Sequence, residues 1–249
     1  MVDAKAAELD ITINDRDFTI KQSPGVLQSK REGGTTGAAV WECSLRLAEW
    51  MASDQNALFS RGVLDGHSNV LELGAGISGL VPLALGPRVK RMVASDQHYA
   101  LRLLQENVDS NSKAGQKKQK GVPRPASIEV LALDWETDDF TSTFRSHGLN
   151  DAFDAIVACD CVFNYALIDP FVDACVESCR YGRSKQDGGE GSIRPALCIV
   201  AQQLRQPDVF QQWLETFMKA FRLWRLPDEM LTEKLREGSG FVVHVGILR

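Results

Sequence analysis

The chain has 249 residues, of which 44% are hydrophobic and 24% are charged, and it carries a net charge of −5. These proportions are close to the globular average and exclude a disordered or fibrous chain. The acidic balance argues against a dedicated DNA-binding protein, and because no run of 18 apolar residues occurs, we expect no membrane-spanning segment.

The first part of the chain predicts a hairpin followed by a helix. Residues 10–21 alternate between apolar and polar side chains around Asn14 and Asp15, a pattern that is typical of a β-hairpin. A joint rich in Gly and Thr at residues 33–37 then leads to an amphipathic helical pattern within residues 38–53. The joint marks the place where we expect the main fold to begin.

Strand and helix patterns alternate from residue 69 onward. Short apolar runs predict strands at 69–73, 91–95, 127–133, 154–159, 195–201 and 241–248. Helical patterns lie between them at 79–86, 99–111, 167–180 and 207–221. Continuous apolar strands separated by helices are typical of a parallel sheet covered on both faces, so the predicted fold class is α/β. We expect a main domain over residues 37–249 and an N-terminal extension over residues 1–36.

Two polar segments interrupt this pattern. Residues 112–127 contain four lysines and one arginine without periodicity, and residues 183–195 are rich in glycine. Both are predicted to be mobile surface loops. The basic segment also leaves open a contact with a polyanion such as RNA, although a solvated run of charges is the commoner explanation.

The cysteines and the N-terminus bear on location and on metal binding. All six cysteines lie in apolar stretches, which is expected of reduced, buried thiols. The first ten residues lack the basic and apolar stretches of a secretion signal, so we expect a cytoplasmic protein. Neither Cys159-x-Cys161 nor Cys175-x-x-x-Cys179 forms a zinc knuckle, and we predict no metal site.

A glycine loop after the first predicted strand of the sheet is the strongest local signal. Gly74, Gly76 and Gly79 follow an apolar strand and precede a helix, where glycine lets backbone turn tightly and approach a ligand. This spacing alone also fits a dinucleotide-binding loop of a flavin or nicotinamide enzyme. Glu72, two residues before the loop, instead suits a ligand with a cationic amino-acid part. Asp96 ends the next strand, where an acid can accept hydrogen bonds from ribose hydroxyls.

The Glu-x-Gly-x-Gly loop resembles the first motif of class I S-adenosylmethionine-dependent methyltransferases. Further matches are Leu133-Asp134-Trp135 after one strand and Asp160-Cys161-Val162-Phe163 after the next. Together they resemble methyltransferase family 16, the protein-lysine methyltransferases, and are most similar to the fungal enzymes that methylate ribosomal proteins. The resemblance implies a Rossmann-like, seven-stranded, mostly parallel sheet and S-adenosylmethionine as the cofactor, with S-adenosylhomocysteine as the product.

The resemblance also implies which residues bind the cofactor. These are Trp41, Glu72, Gly74, Ala75, Gly76, Asp96, Asp134, Trp135 and Cys159. The loop backbone would line the methionine part with Glu72 beneath it, and Asp96 would hold the ribose. Trp135, helped by Asp134, would pack on the adenine. Trp41 and the backbone of Cys159 would close the pocket.

Asp160 and Phe163 are the predicted catalytic residues. Asp160 would position the ammonium of a substrate lysine, and Phe163, with Tyr165 and Trp135 as neighbours, would wall the lysine channel. Phe163 replaces the commoner tyrosine, so no phenolic hydroxyl acts at this position. We expect a monomer that acts on a lysine of a ribosomal protein or an elongation factor. A cofactor-binding scaffold without activity, or a methyltransferase of small molecules or nucleic acids, remains the alternative, although the Asn-Pro-Pro-Tyr motif of adenine and cytosine methyltransferases is absent.

Overall fold

The computed structural model describes residues 1–27, 36–114, 128–183 and 194–249. Most of the two predicted surface loops, and most of the glycine-rich joint, lie outside the described residues. No helix in the described ranges is both long enough and apolar enough to cross a membrane.

The N-terminal hairpin is confirmed. Strand β1 covers Glu8–Ile13 and strand β2 covers Arg16–Lys21, and the two pair in antiparallel fashion. Asn14 and Asp15 form the turn with φ angles of 48° and 60°. Two consecutive positive φ angles match the twist of a hairpin, and Asn and Asp tolerate them better than other non-glycine residues.

Helices and strands then follow in the predicted alternation. Three helices precede the main sheet within the described residues: α1 (Pro24–Leu27), α2 (Glu42–Ala52) and α3 (Ala57–Ser60). The sheet strands are β3 (Asn69–Leu73), β4 (Arg91–Asp96), β5 (Ile128–Ala132), β6 (Ala155–Cys159), β7 (Leu197–Gln203), β8 (Phe221–Arg225) and β9 (Phe241–Leu248). The helices among them are α4 (Leu80–Leu85), α5 (His98–Ala114), α6 (Phe140–Ser146), α7 (Ile168–Arg180) and α8 (Pro207–Ala220).

The predicted seven-stranded, mostly parallel sheet is confirmed. Its strand order is β5-β4-β3-β6-β7-β9-β8, with β9 antiparallel to both of its neighbours and the other pairs parallel. The central strands β3 and β6 are buried at every position, because helices cover both faces of the sheet. The strand order reverses between β3 and β6. The crevice at the carboxyl ends of the strands on either side of such a switch point is the usual ligand site of this architecture.

Four of these elements were not predicted, namely the short helices α1, α3 and α6 and the strand β8. The predicted helix 207–221 ends at Ala220, and Phe221 begins strand β8. Phe221 misled the sequence interpretation because it continues the apolar helical spacing of α8 and stacks on Phe217 at 4.1 Å between ring centroids. Helix α6 was missed because it is short and mainly polar, with two buried phenylalanines as its apolar anchor.

Two buried asparagines of α5 hold the hairpin against the main fold. The side chain of Asn107 accepts a hydrogen bond from the Lys21 N–H at 2.9 Å and donates to the Lys21 and Ile77 carbonyls at 2.9 and 2.7 Å. Asn111 makes the equivalent pair of bonds with the backbone of Thr19. Asn107 therefore links the hairpin to the residues just after the glycine loop. The domain boundary between residues 36 and 37 stays a prediction.

We expect Asn107→Ala to lower the free energy of unfolding by about 2–4 kcal/mol, because it leaves buried backbone groups of Lys21 and Ile77 without partners. Urea denaturation of the purified protein measures this loss. Arg102→Ala, at an exposed position of the same helix, is the matched control and should cost little. Equal stability of the two variants would contradict a bridging role for Asn107.

Candidate active site

The glycine loop between β3 and α4 adopts a conformation that favours glycine. Gly74, Gly76 and Gly79 have φ angles of 70°, 62° and 59°. A Cβ atom on Gly74 would lie only 2.7 Å from the Cys161 sulfur, and one on Gly76 would lie 3.2 Å from the Gly37 carbonyl oxygen. Both the backbone angles and the available space therefore explain these glycines.

Asp96, the last residue of β4, ties this loop to the neighbouring strand. One of its carboxylate oxygens accepts a hydrogen bond from the Gly76 N–H at 2.8 Å, and the other accepts one from the Gln97 N–H at 2.7 Å. Burial raises the pKa of Asp96 to about 6, against the lowering effect of these two bonds. The carboxylate is mainly ionised at neutral pH, and each oxygen keeps acceptor capacity for a ligand.

Glu72 is a buried acid with an unusual environment. Glu72 is 2% exposed, and its Oε2 atom has no hydrogen-bond partner among the described residues. Burial, followed by the nearby charge of Asp96, raises the pKa of Glu72 to about 8. Glu72 is therefore mainly protonated at neutral pH, and a cation placed near it would favour its ionised form.

A cavity opens at the carboxyl edge of the sheet, where ligands bind in this architecture. Ten of the eleven predicted site residues line it: Trp41, Gly74, Ala75, Gly76, Asp96, Asp134, Trp135, Cys159, Asp160 and Phe163. Glu72 does not line it and lies buried at the end of β3. Tyr165, the proposed neighbour of Phe163, is 53% exposed and does not line it either.

Trp135 and Asp134 lie just beyond the end of β5. The Trp135 ring packs against Phe171 of α7 at 5.4 Å between centroids, and its edge faces Gly74. The Asp134 carboxylate accepts hydrogen bonds from the Gln97 side chain at 3.2 Å and from the Glu136 N–H at 3.0 Å. These contacts hold an indole wall and a carboxylate at the same end of the cavity.

Asp160 follows β6 in a left-handed conformation, with φ of 55°. This turn is fixed by the Asp160 N–H, which donates to the Ala201 carbonyl at 2.8 Å. The carboxylate accepts a hydrogen bond from the Gln203 N–H at 3.3 Å and forms an ion pair with Arg205 at 2.5 Å. Burial raises the pKa of Asp160, and the Arg205 charge opposes this shift. A non-glycine residue in this conformation is uncommon and is frequently found at functional sites.

A second cavity of about 750 Å³ adjoins the first. The two share four residues as a common wall: Thr36, Trp41, Asp160 and Phe163. Arg205 stands at this wall, because its guanidinium pairs with Asp160 and also lies over the Trp41 ring at 4.8 Å from the centroid. The Trp41 indole N–H is fixed in turn by the Thr36 carbonyl at 2.7 Å.

Comparison with known proteins identifies the family. The lysine methyltransferase family matches residues 21–182, which is more than half of the chain. The chain belongs to this family. The predicted family is therefore confirmed, together with S-adenosylmethionine as the cofactor, and the dinucleotide interpretation of the glycine loop is set aside.

Two similar proteins have names that agree with this assignment, and a third has a different name. The chain is 30% identical over 236 residues to a protein of Zygosaccharomyces rouxii named ribosomal lysine N-methyltransferase 5, covering 83% of this chain and 72% of that protein. The Kluyveromyces lactis protein of the same name is 26% identical, with 80% and 70% covered. A Schizosaccharomyces pombe protein named diaminohydroxyphosphoribosylamino-pyrimidine deaminase is 28% identical over 90% of this chain, which spans 47% of that protein.

Solved structures agree on the fold. A protein from Streptococcus mutans described as a putative SAM-dependent methyltransferase superposes with a TM-score of 0.50 at 12% identity, covering 97% of this chain and 56% of that one. At this identity the likeness concerns the architecture alone.

Gly37, Tyr99 and Arg205 were assigned no individual role from the sequence, although Gly37 and Arg205 lie in segments that carry the family resemblance. Gly37 accepts a hydrogen bond from the Ile77 N–H at 2.9 Å and donates to the Tyr99 hydroxyl at 3.2 Å, which joins the N-terminal segment to the glycine loop. Arg205 follows the end of β7 and lines the second cavity. Its charge at the carboxyl edge of the sheet was the signal that could have given it a role.

We expect the protein without ligand to lose stability, relative to Glu72→Gln, as the pH rises from about 5 to 8. The Glu72 carboxyl has a pKa of about 8 in the folded chain and an ordinary value of 4.5. Its raised pKa favours the folded state at low pH, and this contribution is lost as the pH rises through the folded value.

Urea denaturation of both proteins across this pH range measures the difference. Glu229→Gln, at an exposed position, should run parallel to the wild type at every pH. A pH-independent difference between wild type and Glu72→Gln would show that Glu72 titrates normally.

Proposed function

We propose that this chain transfers a methyl group to the side-chain amine of a lysine in a ribosomal protein. The observation that carries the proposal is the position of Asp160, which lies on the common wall of the two cavities. One cavity has the polar groups that the cofactor needs. The other reaches the same carboxylate from a different side and gives a separate approach for a substrate side chain.

The residues of the first cavity fit S-adenosylmethionine. Glu72 does not itself line this cavity, but its buried Oε2 atom has no partner among the described residues, which suits the cationic amino-acid part of the cofactor. Asp96 offers acceptor capacity for ribose hydroxyls, and the exposed loop backbone at Gly74–Gly76 approaches the cavity without side chains in the way. Trp135, with Asp134 beside it, provides a flat apolar wall for the adenine. Trp41 and Cys159 complete the enclosure.

When bound, S-adenosylmethionine supplies a methyl group on a positively charged sulfur, and methyl transfer is then a direct displacement. The protein must align the amine and deliver it without its extra proton, since the pKa of a free lysine is about 10.4. We propose that Asp160 orients the arriving ammonium through its carboxylate. Phe163 and Trp135 exclude water from the channel, so the ammonium loses its proton to solvent as it enters, and this desolvation favours the neutral amine.

The ribosomal substrate is supported by the relatives from Zygosaccharomyces rouxii and Kluyveromyces lactis, whose names specify ribosomal lysine methylation. We propose the cytoplasm as the site of action on the same ground. We also propose a monomer, because a single chain supplies the walls of both cavities. The net charge of −5 supports a protein substrate rather than DNA.

We expect Asp160→Asn to reduce methyl transfer by about tenfold or more, equivalent to about 1.4 kcal/mol in the barrier, with cofactor affinity nearly unchanged. The amide keeps the shape of the side chain and loses the charge that orients the ammonium. Calorimetry with S-adenosylmethionine and a methyl-transfer assay separate the two effects. Asp169→Asn, at the exposed start of α7, is the control. Equal losses of binding and transfer would place Asp160 in the cofactor site instead.

We expect the purified protein to label a lysine of a ribosomal protein when it is incubated with methyl-labelled S-adenosylmethionine and ribosomes from cells that lack its gene. Mass spectrometry then identifies the labelled residue, and Asp160→Asn serves as the inactive control. Labelling of an elongation factor alone would refute the ribosomal substrate and leave the lysine methylation in place. Labelling of arginine, nucleic acid or a metabolite without any lysine would refute the proposed function.

A further inference from the structure

This inference rests on the proposed function, which places the ammonium of a substrate lysine at the Asp160 carboxylate. In the structure, Arg205 occupies that position. Its guanidinium neutralises Asp160 and covers the face of Trp41. We infer that Arg205 is an internal stand-in for the substrate ammonium, which must displace it from Asp160 before methyl transfer. Arg205 would thus be a positioning residue that holds the acceptor carboxylate charged and ready in the absence of substrate.

The burial of the two partners favours such an exchange. The Asp160 side chain is 4% exposed, whereas the Arg205 side chain is 35% exposed. The carboxylate is anchored by the Gln203 N–H and cannot leave, since an unpaired charge at this depth is costly. The guanidinium is already partly hydrated, so it can move into water at a small cost. Of the two partners, only the Arg205 guanidinium can therefore leave the ion pair.

The contacts of Arg205 are also those that an alkylammonium needs. A carboxylate and the face of an indole together attract a cation more strongly than either alone. The described residues provide both at this point, in Asp160 and Trp41, and Phe163 adds a second ring to the same wall. A lysine side chain that reaches this wall therefore competes directly with Arg205 for the same two partners.

A second observation indicates that the adjoining cavity takes a polar ligand. Gln202 lines it, is 3% exposed, and has an Oε1 atom without a hydrogen-bond partner among the described residues. A buried amide oxygen left unpaired costs stability unless a ligand completes it. It offers an acceptor to an N–H group of the substrate next to the Asp160 carboxylate. The cavity therefore has a built acceptor beyond the one that Arg205 satisfies.

The test uses n-butylammonium, which has the end of a lysine side chain, as the probe. Its binding is followed by nuclear magnetic resonance at constant ionic strength and about pH 8.5, where the probe is charged. We expect Arg205→Met to bind the probe about threefold more tightly than the wild type, because the internal competitor is gone. Arg205→Lys keeps a competing cation and should bind like the wild type.

Two further variants complete the design. Asp160→Asn should lose specific binding of the probe in any background. Arg222→Met removes an exposed arginine of β8 that lines neither cavity and should change nothing. Thermal melting of each variant shows that it is folded. Unchanged or weaker binding in folded Arg205→Met would overturn the inference and make Arg205 a structural partner of Asp160.

This experiment is separable from the test of the proposed function, because it measures binding without any methyl transfer. If Arg205→Met binds the probe more tightly and no lysine is ever labelled, the cation exchange stands and the proposed reaction falls. If lysine is labelled and the probe binds no more tightly, the reaction stands and the stand-in role falls. If the probe binds more tightly and lysine is also labelled, substrate labelling at low concentration should rise about threefold in Arg205→Met.

Discussion

The two hydrogen bonds that the Asp96 carboxylate accepts from the Gly76 and Gln97 amides are the constraint on which the site depends. They fix the glycine loop after β3 against the end of β4, at the edge where ligands bind in this fold. The loop can present its backbone there only because its glycines adopt positive φ angles. Asn107 of α5 then links the segment after the loop, through Ile77, to the N-terminal hairpin, through Lys21.

The carboxyl groups around this edge differ because each has a different set of partners. Asp96 is buried, yet two backbone amides partly offset the cost of its charge, so its pKa rises only to about 6. Glu72 has no such partner at Oε2 among the described residues, and its pKa rises to about 8. Asp160 is buried as well, but its carboxylate forms an ion pair with the Arg205 guanidinium. Three carboxyl groups at one sheet edge thus differ in their partners and in the shifts of their pKa values.

Much of the sheet was predictable, because its buried strands read as apolar runs of strand length. The observed bounds of β3 (Asn69–Leu73) and β9 (Phe241–Leu248) are the same as the predicted ones. Strand β8 was not predictable in this way, since it lies at the edge with alternating exposure and begins where a helical spacing continues. The gathering of the predicted residues into one cavity followed from the glycine loop. The pairing of Arg205 with Asp160 could not be predicted, because it joins residues that are 45 positions apart in the sequence.

Glu72 and Asp160 are expected to respond to an arriving cation in opposite ways. At Glu72 no cation stands close by among the described residues, so an arriving positive charge lowers the pKa and releases a proton. At Asp160 one cation would replace another, and the carboxylate stays charged throughout. In the proposed reaction, Glu72 would couple ligand binding to proton release, whereas Asp160 would exchange one cation for another. Asp160 would then orient the incoming ammonium without accepting its proton, and desolvation by Phe163 and Trp135 would favour the neutral amine.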